Sequence, residues 1–136
     1  MTPLSIDRLV VQNDRVICEV TLAPTAPRLT TPALAACITH AFPNLPRHAC
    51  VNDEGDTFGA VITHTTLPHV LEHLVIDLQT RADSRPDAVY VGTTEWLDEF
   101  ARRARVEVSF TDDLVALRAF RDAAHFLNEA VVRYAS

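Results

Sequence analysis

The sequence predicts an α+β fold, a two-layer sandwich in which helices pack on a mostly antiparallel sheet. Stretches of alternating apolar residues lie near the start and in the second half of the chain, and segments with helical three- and four-residue spacing separate and follow them. The patterns are ordered as ββα, then a short irregular or strand segment, then αββα. Because the chain has 136 residues, we expect one domain over residues 1–136.

Residues 5–22 are predicted to form a β-hairpin around a turn at Asn13 and Asp14, since both residue types favour turns. A loop with two prolines follows at residues 23–30. The apolar residues expected to face the core alternate along the second strand: Val16, Cys18, Val20 and Leu22.

The first two helices are predicted from their N-terminal signals. Thr31 followed by Pro32 is typical of an N-cap and a first helical residue, and this helix is expected to stop before Pro43. The second helix should begin near Pro68 and run to about Arg81. Between the two helices, the weaker patterns at 48–51 and 58–62 are interpreted as short strands around a polar turn at 52–56.

A turn is expected at residues 82–87, and two strands and a long helix follow it. Thr111 or Asp112 is predicted to cap that helix. The first strand is expected to present one face to a helix, formed by Val89, Val91, Thr93 and Glu95. The second strand presents Val106, Val108 and Phe110. The apolar stripe of the last helix consists of Leu117, Phe120, Ala124, Leu127, Val131 and Tyr134.

The composition limits the classes of function. The formal net charge is −6 without a basic run, which argues against nucleic acid or an anionic membrane as the partner. No apolar stretch approaches about 18 residues and no signal-peptide pattern opens the chain, so we expect a cytoplasmic protein. The three cysteines have no C-x-x-C spacing, which favours buried free thiols. The oligomeric state stays open, a homo-oligomer included.

The most specific pattern is His69-Val70-Leu71-Glu72-His73, an H-x-x-E-H motif typical of inverzincin metallopeptidases. Residues four apart lie on one face of a helix, so His69 and His73 can bind one metal ion together. A catalytic zinc takes three protein ligands and a water, and Glu72 is placed to act on that water as general base. The alternative is a helix surface that carries these residues without a metal.

The helix that carries the motif is amphipathic, with its apolar side expected against the sheet. Ile76 lies in the middle of the polar side, so that side should be partly covered too, as in a pocket floor. Asp77 lies four residues after His73 and could accept a hydrogen bond from its second ring nitrogen. The apolar side consists of Val70, Leu71, Leu74, Val75 and Leu78, and the other side of His69, Glu72, His73, Ile76, Asp77 and Thr80.

The third metal ligand is harder to identify. Glu95 ends the strand face expected to meet a helix, where a buried carboxylate needs a partner such as a metal ion. Glu107, Asp112 and Asp113 are alternatives, although the two aspartates fit better as charges at a helix N-terminus. His48 is a candidate ligand or substrate contact, with a hydrogen-bonded structural histidine as the other interpretation.

The stretch from His48 to Gln79 resembles the N-terminal domain of cyanophycin synthetases, enzymes that polymerise aspartate and arginine. That domain typically carries an H-x-C element, then glycines and a phenylalanine, then a helix of the form G-H-[VI]-x-E-H-[VI]-A-L-E-L-Q. The matching residues here are His48-Ala49-Cys50, Gly55, Phe58-Gly59 and 68–79. The similarity continues more faintly through residues 89–94 and the last helix.

The resemblance implies an inverzincin-type metal hydrolase that cuts the polymer and makes primers. His69 and His73 would then bind zinc, with Glu72 as the base and Asp77 in the acidic position that follows. The 136 residues contain no P-loop and no ATP-grasp or Mur-ligase-like region, so polymer synthesis is not expected. Thr93 and Glu95 occupy positions where the family tends to have arginines. This difference predicts another ligand and weakens Glu95 as an inherited metal ligand.

Two functions therefore follow from the sequence. The first is a zinc-dependent peptidase or amidohydrolase that acts on a short or Asp/Arg-type peptide or another small molecule, with Glu72 activating a metal-bound water. The second is a catalytically inactive accessory domain that keeps the scaffold and binds a peptide or polymer.

Overall fold

The computed structural model of the protein describes residues 2–83, 85 and 88–134. These residues form six strands, three α-helices and two short 3₁₀ turns, at Leu45–Arg47 and Phe58–Ala60. The elements in chain order are β1 (Leu4–Val11), β2 (Arg15–Leu22), α1 (Pro32–Ala41), β3 (Ala49–Asn52), β4 (Gly55–Thr57), α2 (Leu67–Ala82), β5 (Gly92–Asp98), β6 (Arg103–Ser109) and α3 (Asp113–Tyr134).

Four strands form an antiparallel sheet in the order β1-β2-β6-β5, and β3 pairs with β4 in a separate hairpin. At the centre of the large sheet β2 pairs with β6, and Cys18 lies opposite Val106. Alternate residues of these two strands are buried, which confirms the predicted N-terminal hairpin and its core face. The buried residues are Val16, Cys18, Val20, Leu22, Ala104, Val106 and Val108.

The helices pack on this core face. The second helix, α2, contacts β5, β6 and α3, while α3 contacts β1, β2 and α1. The other face of the sheet carries ion pairs, among them Arg15 with Glu107 and Arg103 with Glu19. The fold is therefore α+β with two layers, as predicted. No helix in the described ranges is long and apolar enough to cross a membrane.

The first two helices start close to the predicted positions, and the predicted cap at Thr31 is confirmed. The Thr31 and Thr66 hydroxyls accept hydrogen bonds from the backbone N–H of Leu34 and His69, respectively, and each cap precedes a proline in the first turn. At the third helix, Asp112 accepts from the N–H of Leu114 at 3.0 Å, so Asp112 rather than Thr111 is the cap. These caps fix where the motif-bearing helix α2 begins.

The short hairpin differs from the prediction. A strand at 49–52 is confirmed, but its partner is Gly55–Thr57, inside the stretch predicted as a turn, and the segment predicted as a strand begins as a 3₁₀ turn at Phe58–Ala60. The Asn52 amide donates to the carbonyl oxygens of Cys50 and Thr57, both at 3.1 Å, and so bonds to both strands. The apolar run that suggested a strand instead places Phe58 in the core.

The fifth strand differs in its start and in its buried face. It begins at Gly92, with Val89 and Val91 before it and 79% and 66% exposed. Gly92, Thr94 and Trp96 lie opposite the buried residues of β6, so Thr93 and Glu95 face away from the helices. The expectation that Glu95 points toward a helix is therefore wrong. The turn predicted at 82–87 lies partly outside the described residues.

Candidate metal centre

The H-x-x-E-H motif occupies the first two turns of α2, on a face that the rest of the protein covers. Glu72 and His73 are buried, at 5% and 2% exposure, and His69 is half-buried. Asp77, one turn further along, is also buried. The prediction that this polar face forms a covered pocket floor is confirmed.

Cys50 lies beside the two motif histidines. Its Sγ is 3.5 Å from Nε2 of His69, and one ligand atom from each of Cys50, His69 and His73 lies within 4.8 Å of the other two. Zn–S and Zn–N bonds of about 2.3 and 2.0 Å at a tetrahedral angle separate S and N by about 3.5 Å. The Cys50–His69 distance therefore fits two ligands of one zinc ion.

Hydrogen bonds determine which ring nitrogens can coordinate a metal. The Thr65 hydroxyl lies 2.8 Å from Nδ1 of His69, which leaves Nε2 of that ring directed at Cys50. Nδ1 of His73 lies 3.1 Å from Nδ1 of His48. Nε2 of His73 is buried and has no hydrogen-bond partner among the described residues. An unpartnered ring nitrogen beside a thiol and a second imidazole is what a metal ligand requires.

His48 links the motif to Asp77. Nε2 of His48 lies 3.1 Å from Oδ1 of Asp77, and Oδ2 of Asp77 is 2.9 Å from Nε of Arg81. A carboxylate only accepts, so His48 donates from Nε2, and its Nδ1 can accept a hydrogen bond from Nδ1 of His73. Asp77 therefore positions His73 through His48 rather than by direct contact, which corrects the predicted bond between Asp77 and His73.

Phe58 forms an apolar wall against the two imidazoles. Its ring stacks on His73 with centroids 4.2 Å apart and an angle of 23° between the planes, and it meets His69 edge-on at 5.0 Å. Gly59 permits the close chain packing here, because a Cβ at this position would lie 2.8 Å from the carbonyl oxygen of Pro46. The rings are thus held by packing as well as by hydrogen bonds.

Burial keeps both motif histidines neutral. It lowers the pKa of His69, and together with the nearby His69 and His48 rings it lowers the pKa of His73 to about 3. Both rings are therefore uncharged at neutral pH. Neutral imidazoles are the form that binds metal ions without first losing a proton.

Glu72 is a buried carboxylate with one defined partner. Its Oε1 accepts a hydrogen bond of 2.7 Å from the Thr94 hydroxyl, and its Oε2 lies 3.5 Å from Nε2 of His73. Burial raises the pKa of Glu72, while the Thr94 hydrogen bond and the His48 ring partly offset the increase. A carboxyl group with a raised pKa beside an unpartnered ring nitrogen has the properties of a general base.

The structure does not bring the predicted third ligand to this centre. Glu95 lies on the outer face of β5, its side chain 61% exposed, and pairs with Arg105 at 3.3 Å. Glu107 pairs with Arg15, and Asp112 caps α3. The cysteine of the His48-Ala49-Cys50 element lies at the position expected of the third ligand. The H-x-C element was the signal in the sequence, but Cys50 was interpreted only as a buried thiol.

An open groove with a volume of about 790 Å³ leads to the centre. Residues of α2, β3 and β5 line it, among them His69, Glu72 and His73. A solute in the groove would therefore contact the half-buried Cys50 and His69, which line it together with the buried Glu72 and His73. The side chains of the cluster thus lie at the base of a pocket, and the residues of the pocket walls determine which small molecule or peptide fits it.

Comparison with known proteins agrees with this architecture. Residues 16–132 match the family model described as the cyanophycin synthase-like N-terminal domain. No curated protein matches the chain significantly. The matched region includes β2, the cluster and most of α3, so it covers the elements that build the candidate centre. The chain belongs to the family of cyanophycin synthase-like N-terminal domains.

Proposed function

We propose that this protein is a zinc-dependent amide hydrolase that acts on short peptides, Asp/Arg-type peptides included. One observation carries the proposal: donor atoms of Cys50, His69 and His73 converge beside the buried carboxylate of Glu72 at an open groove. One thiolate and two neutral imidazoles are a ligand set that zinc favours, and three protein ligands are typical of catalytic sites.

The residues have separate roles in this mechanism. Cys50, His69 and His73 would hold the ion, which when bound lowers the pKa of water and polarises a carbonyl group. Glu72 accepts the proton of the attacking water and delivers it to the departing amine. Thr94 holds one oxygen of the Glu72 carboxylate, which leaves the other, Oε2, on the side of His73.

His48 and Asp77 position the third of these ligands. With Asp77 accepting from Nε2 of His48, Nδ1 of His48 accepts a hydrogen bond from Nδ1–H of His73, which keeps the lone pair on Nε2 of His73 available. The guanidinium of Arg81 holds the other oxygen of Asp77. These three residues contribute to metal affinity and orientation, and none of them touches the reacting bond.

The proposal is tested by metal analysis and peptide digestion on the same preparations. Protein expressed with zinc and purified without chelators should contain one zinc per chain and cleave peptides in a mixture that includes Asp/Arg peptides, as followed by mass spectrometry. Glu72→Gln should keep the zinc and lose cleavage, whereas His73→Ala should lose both. The exposed His125 on α3 provides the control, since His125→Ala should keep both. Metal-free protein after this preparation would contradict the proposal.

The second candidate function is a binding domain without catalysis. The resemblance favours it, because Thr93 and Glu95 occupy positions where the family tends to have arginines, side chains that can contact substrate carboxylates. In this case peptides bind to the groove, Glu72→Gln leaves their affinity unchanged, and no preparation that contains zinc releases product. The two candidates thus predict opposite results for peptide cleavage.

A further inference from the structure

One long edge of the sheet borders the groove. β5 is the last strand in the order β1-β2-β6-β5, so one side of it has no neighbouring strand among the described residues. The N–H of Ser109 donates to the carbonyl oxygen of Val91, which means that Val91, Thr93 and Glu95 direct their backbone groups at β6. The N–H and C=O groups of Gly92, Thr94 and Trp96 consequently point to the open side.

These open backbone groups lie along the groove. All residues from Gly92 to Trp96 line it, together with His69, Glu72 and His73 of α2. At about 3.3 Å per residue, this part of the strand spans roughly 16 Å, which is the length of four or five extended residues. No backbone hydrogen bond from the described part of the chain covers Gly92, Thr94 or Trp96 on this side. An extended chain placed there would run past Glu72.

The walls of the groove are largely apolar. Val51, Val89 and Val91 line it and are 98%, 79% and 66% exposed, so they offer apolar contact area. The Glu72 carboxylate lies in the lining, the Glu95 side chain lies on the outer face and pairs with Arg105, and no lysine or arginine of the described residues lines the groove.

Two arginines lie close to these walls. Arg105 is paired with Glu95 at 3.3 Å, and Arg28 lies over the Trp96 ring, 5.7 Å from its centroid. Neither belongs to the lining. The charge of the groove itself therefore disfavours acidic side chains.

We propose that the groove binds an extended peptide without acidic side chains, which adds to β5 as a fifth strand through the backbone groups of Gly92, Thr94 and Trp96. Main-chain hydrogen bonds provide the affinity, and the apolar walls select the side chains. The proposal rests on the proposed function because it names the substrate of that site, and it sets peptides without acidic side chains above Asp/Arg peptides. Binding itself is measurable without hydrolysis.

Trp96 gives a direct readout of binding. It is the only tryptophan of the chain, and it lines the groove. The parent probe is a blocked hexapeptide, Ala-Val-Gln-Val-Gln-Ala, titrated into protein freed of metal by dialysis against a chelator, with circular dichroism to verify the fold. A further probe replaces both glutamines by glutamates. We expect a saturable change in Trp96 emission with the parent, and affinity at least about tenfold weaker with the glutamate peptide.

A pair of methylated peptides tests the strand pairing. Two N-methyl groups on alternate amides of the parent leave one edge of the peptide free, whereas two on adjacent central amides block both edges. The adjacent isomer should bind at least about tenfold more weakly than the alternate isomer, since it loses hydrogen bonds that the other keeps. Equal affinities for the two isomers overturn the strand addition, and so does a parent peptide that gives no saturable signal.

Equal affinities for the glutamate and parent peptides overturn the charge selection. A failure of the metal site has a different signature, namely absence of zinc after purification. The binding titrations use metal-free protein, so they keep their meaning if zinc or cleavage is absent.

Discussion

Gly92 leaves the space that the Glu72 side chain occupies. A Cβ at position 92 would lie 2.7 Å from Cγ of Glu72 and 3.0 Å from the carbonyl oxygen of Glu107. Glu72 is one of the buried groups of α2, and Gly92 opens the strand that faces it. The glycine thus permits a close approach between the strand and the carboxylate that we assign as general base.

Gly92→Ala should therefore displace Glu72. Because small displacements of a catalytic group are costly, we expect kcat to fall between about tenfold and a hundredfold, with one zinc per chain retained. Crowding should also lower the free energy of unfolding by about 1–3 kcal/mol, measured by urea denaturation. Gly55→Ala is the matched control in another strand and should preserve kcat. Unchanged kcat in Gly92→Ala would contradict this account of Glu72.

Cys50→Ala should remove the third ligand. Zinc affinity is expected to fall at least about a hundredfold, since only two imidazoles remain to bind the ion. Competition with a chromophoric chelator measures the dissociation constant. Cys37→Ala is the matched control, because Cys37 is also a half-buried free cysteine. Glu95→Gln should likewise keep the affinity, and a large loss in that variant would restore Glu95 as a ligand.

His48→Ala should weaken zinc binding without removing a ligand. The second ring nitrogen of His73 would lose its acceptor, and such losses typically reduce affinity by about 10- to 100-fold. Asp77→Asn should act in the same direction through His48. Nitrogen-15 NMR of the imidazoles provides an independent readout, since the ratio of the two tautomers of His73 should change in either variant. An unchanged tautomer ratio would argue against the relay.

Cys18 should resist alkylation in the folded protein. Burial, with smaller contributions from Asp7 and Glu19, raises the pKa of its thiol to about 12. Iodoacetamide at pH 8 should therefore modify Cys18 only after unfolding, as mass spectrometry of labelled peptides can determine. The folded state favours the protonated thiol, so this residue contributes stability below the unfolded pKa of about 9 and loses it as pH rises toward 12. Rapid labelling of Cys18 under native conditions would disprove its burial.

Much of the scaffold and half of the centre could be predicted from the sequence. Thr31 and Pro32 located one helix start, and the pattern from His69 to His73 placed two imidazoles and a carboxylate on one covered face. These predictions succeed because caps and helix spacing depend on local chemistry. The third donor, Cys50, belongs to a different element, β3. Its side chain contacts His69 only when the β3–β4 hairpin packs beside α2.

The error at Glu95 has a specific cause. The apolar residues Val89 and Val91 suggested that the odd-numbered residues face the core, but the buried face contains Gly92 and Thr94, which accommodate Glu72. Residues selected to fit a buried carboxylate are small or polar, and they invert the alternation that normally reveals a core face. The fit of β5 to the buried Glu72 side chain therefore obscured its orientation in the sequence.

The pairing of β2 with β6 has a consequence for folding. Cys18 pairs with Val106 from near the other end of the chain, and every residue of the centre lies in the long connection between these two strands. Pairing strands across such a long connection is slow, because the connecting segment loses conformational entropy before the contacts between the two strands form. The donor atoms of Cys50, His69 and His73 should consequently reach their final arrangement late during refolding, after the β1–β2 hairpin has paired with the β5–β6 hairpin. The rate at which the refolding protein binds added zinc would then report how fast β2 and β6 pair.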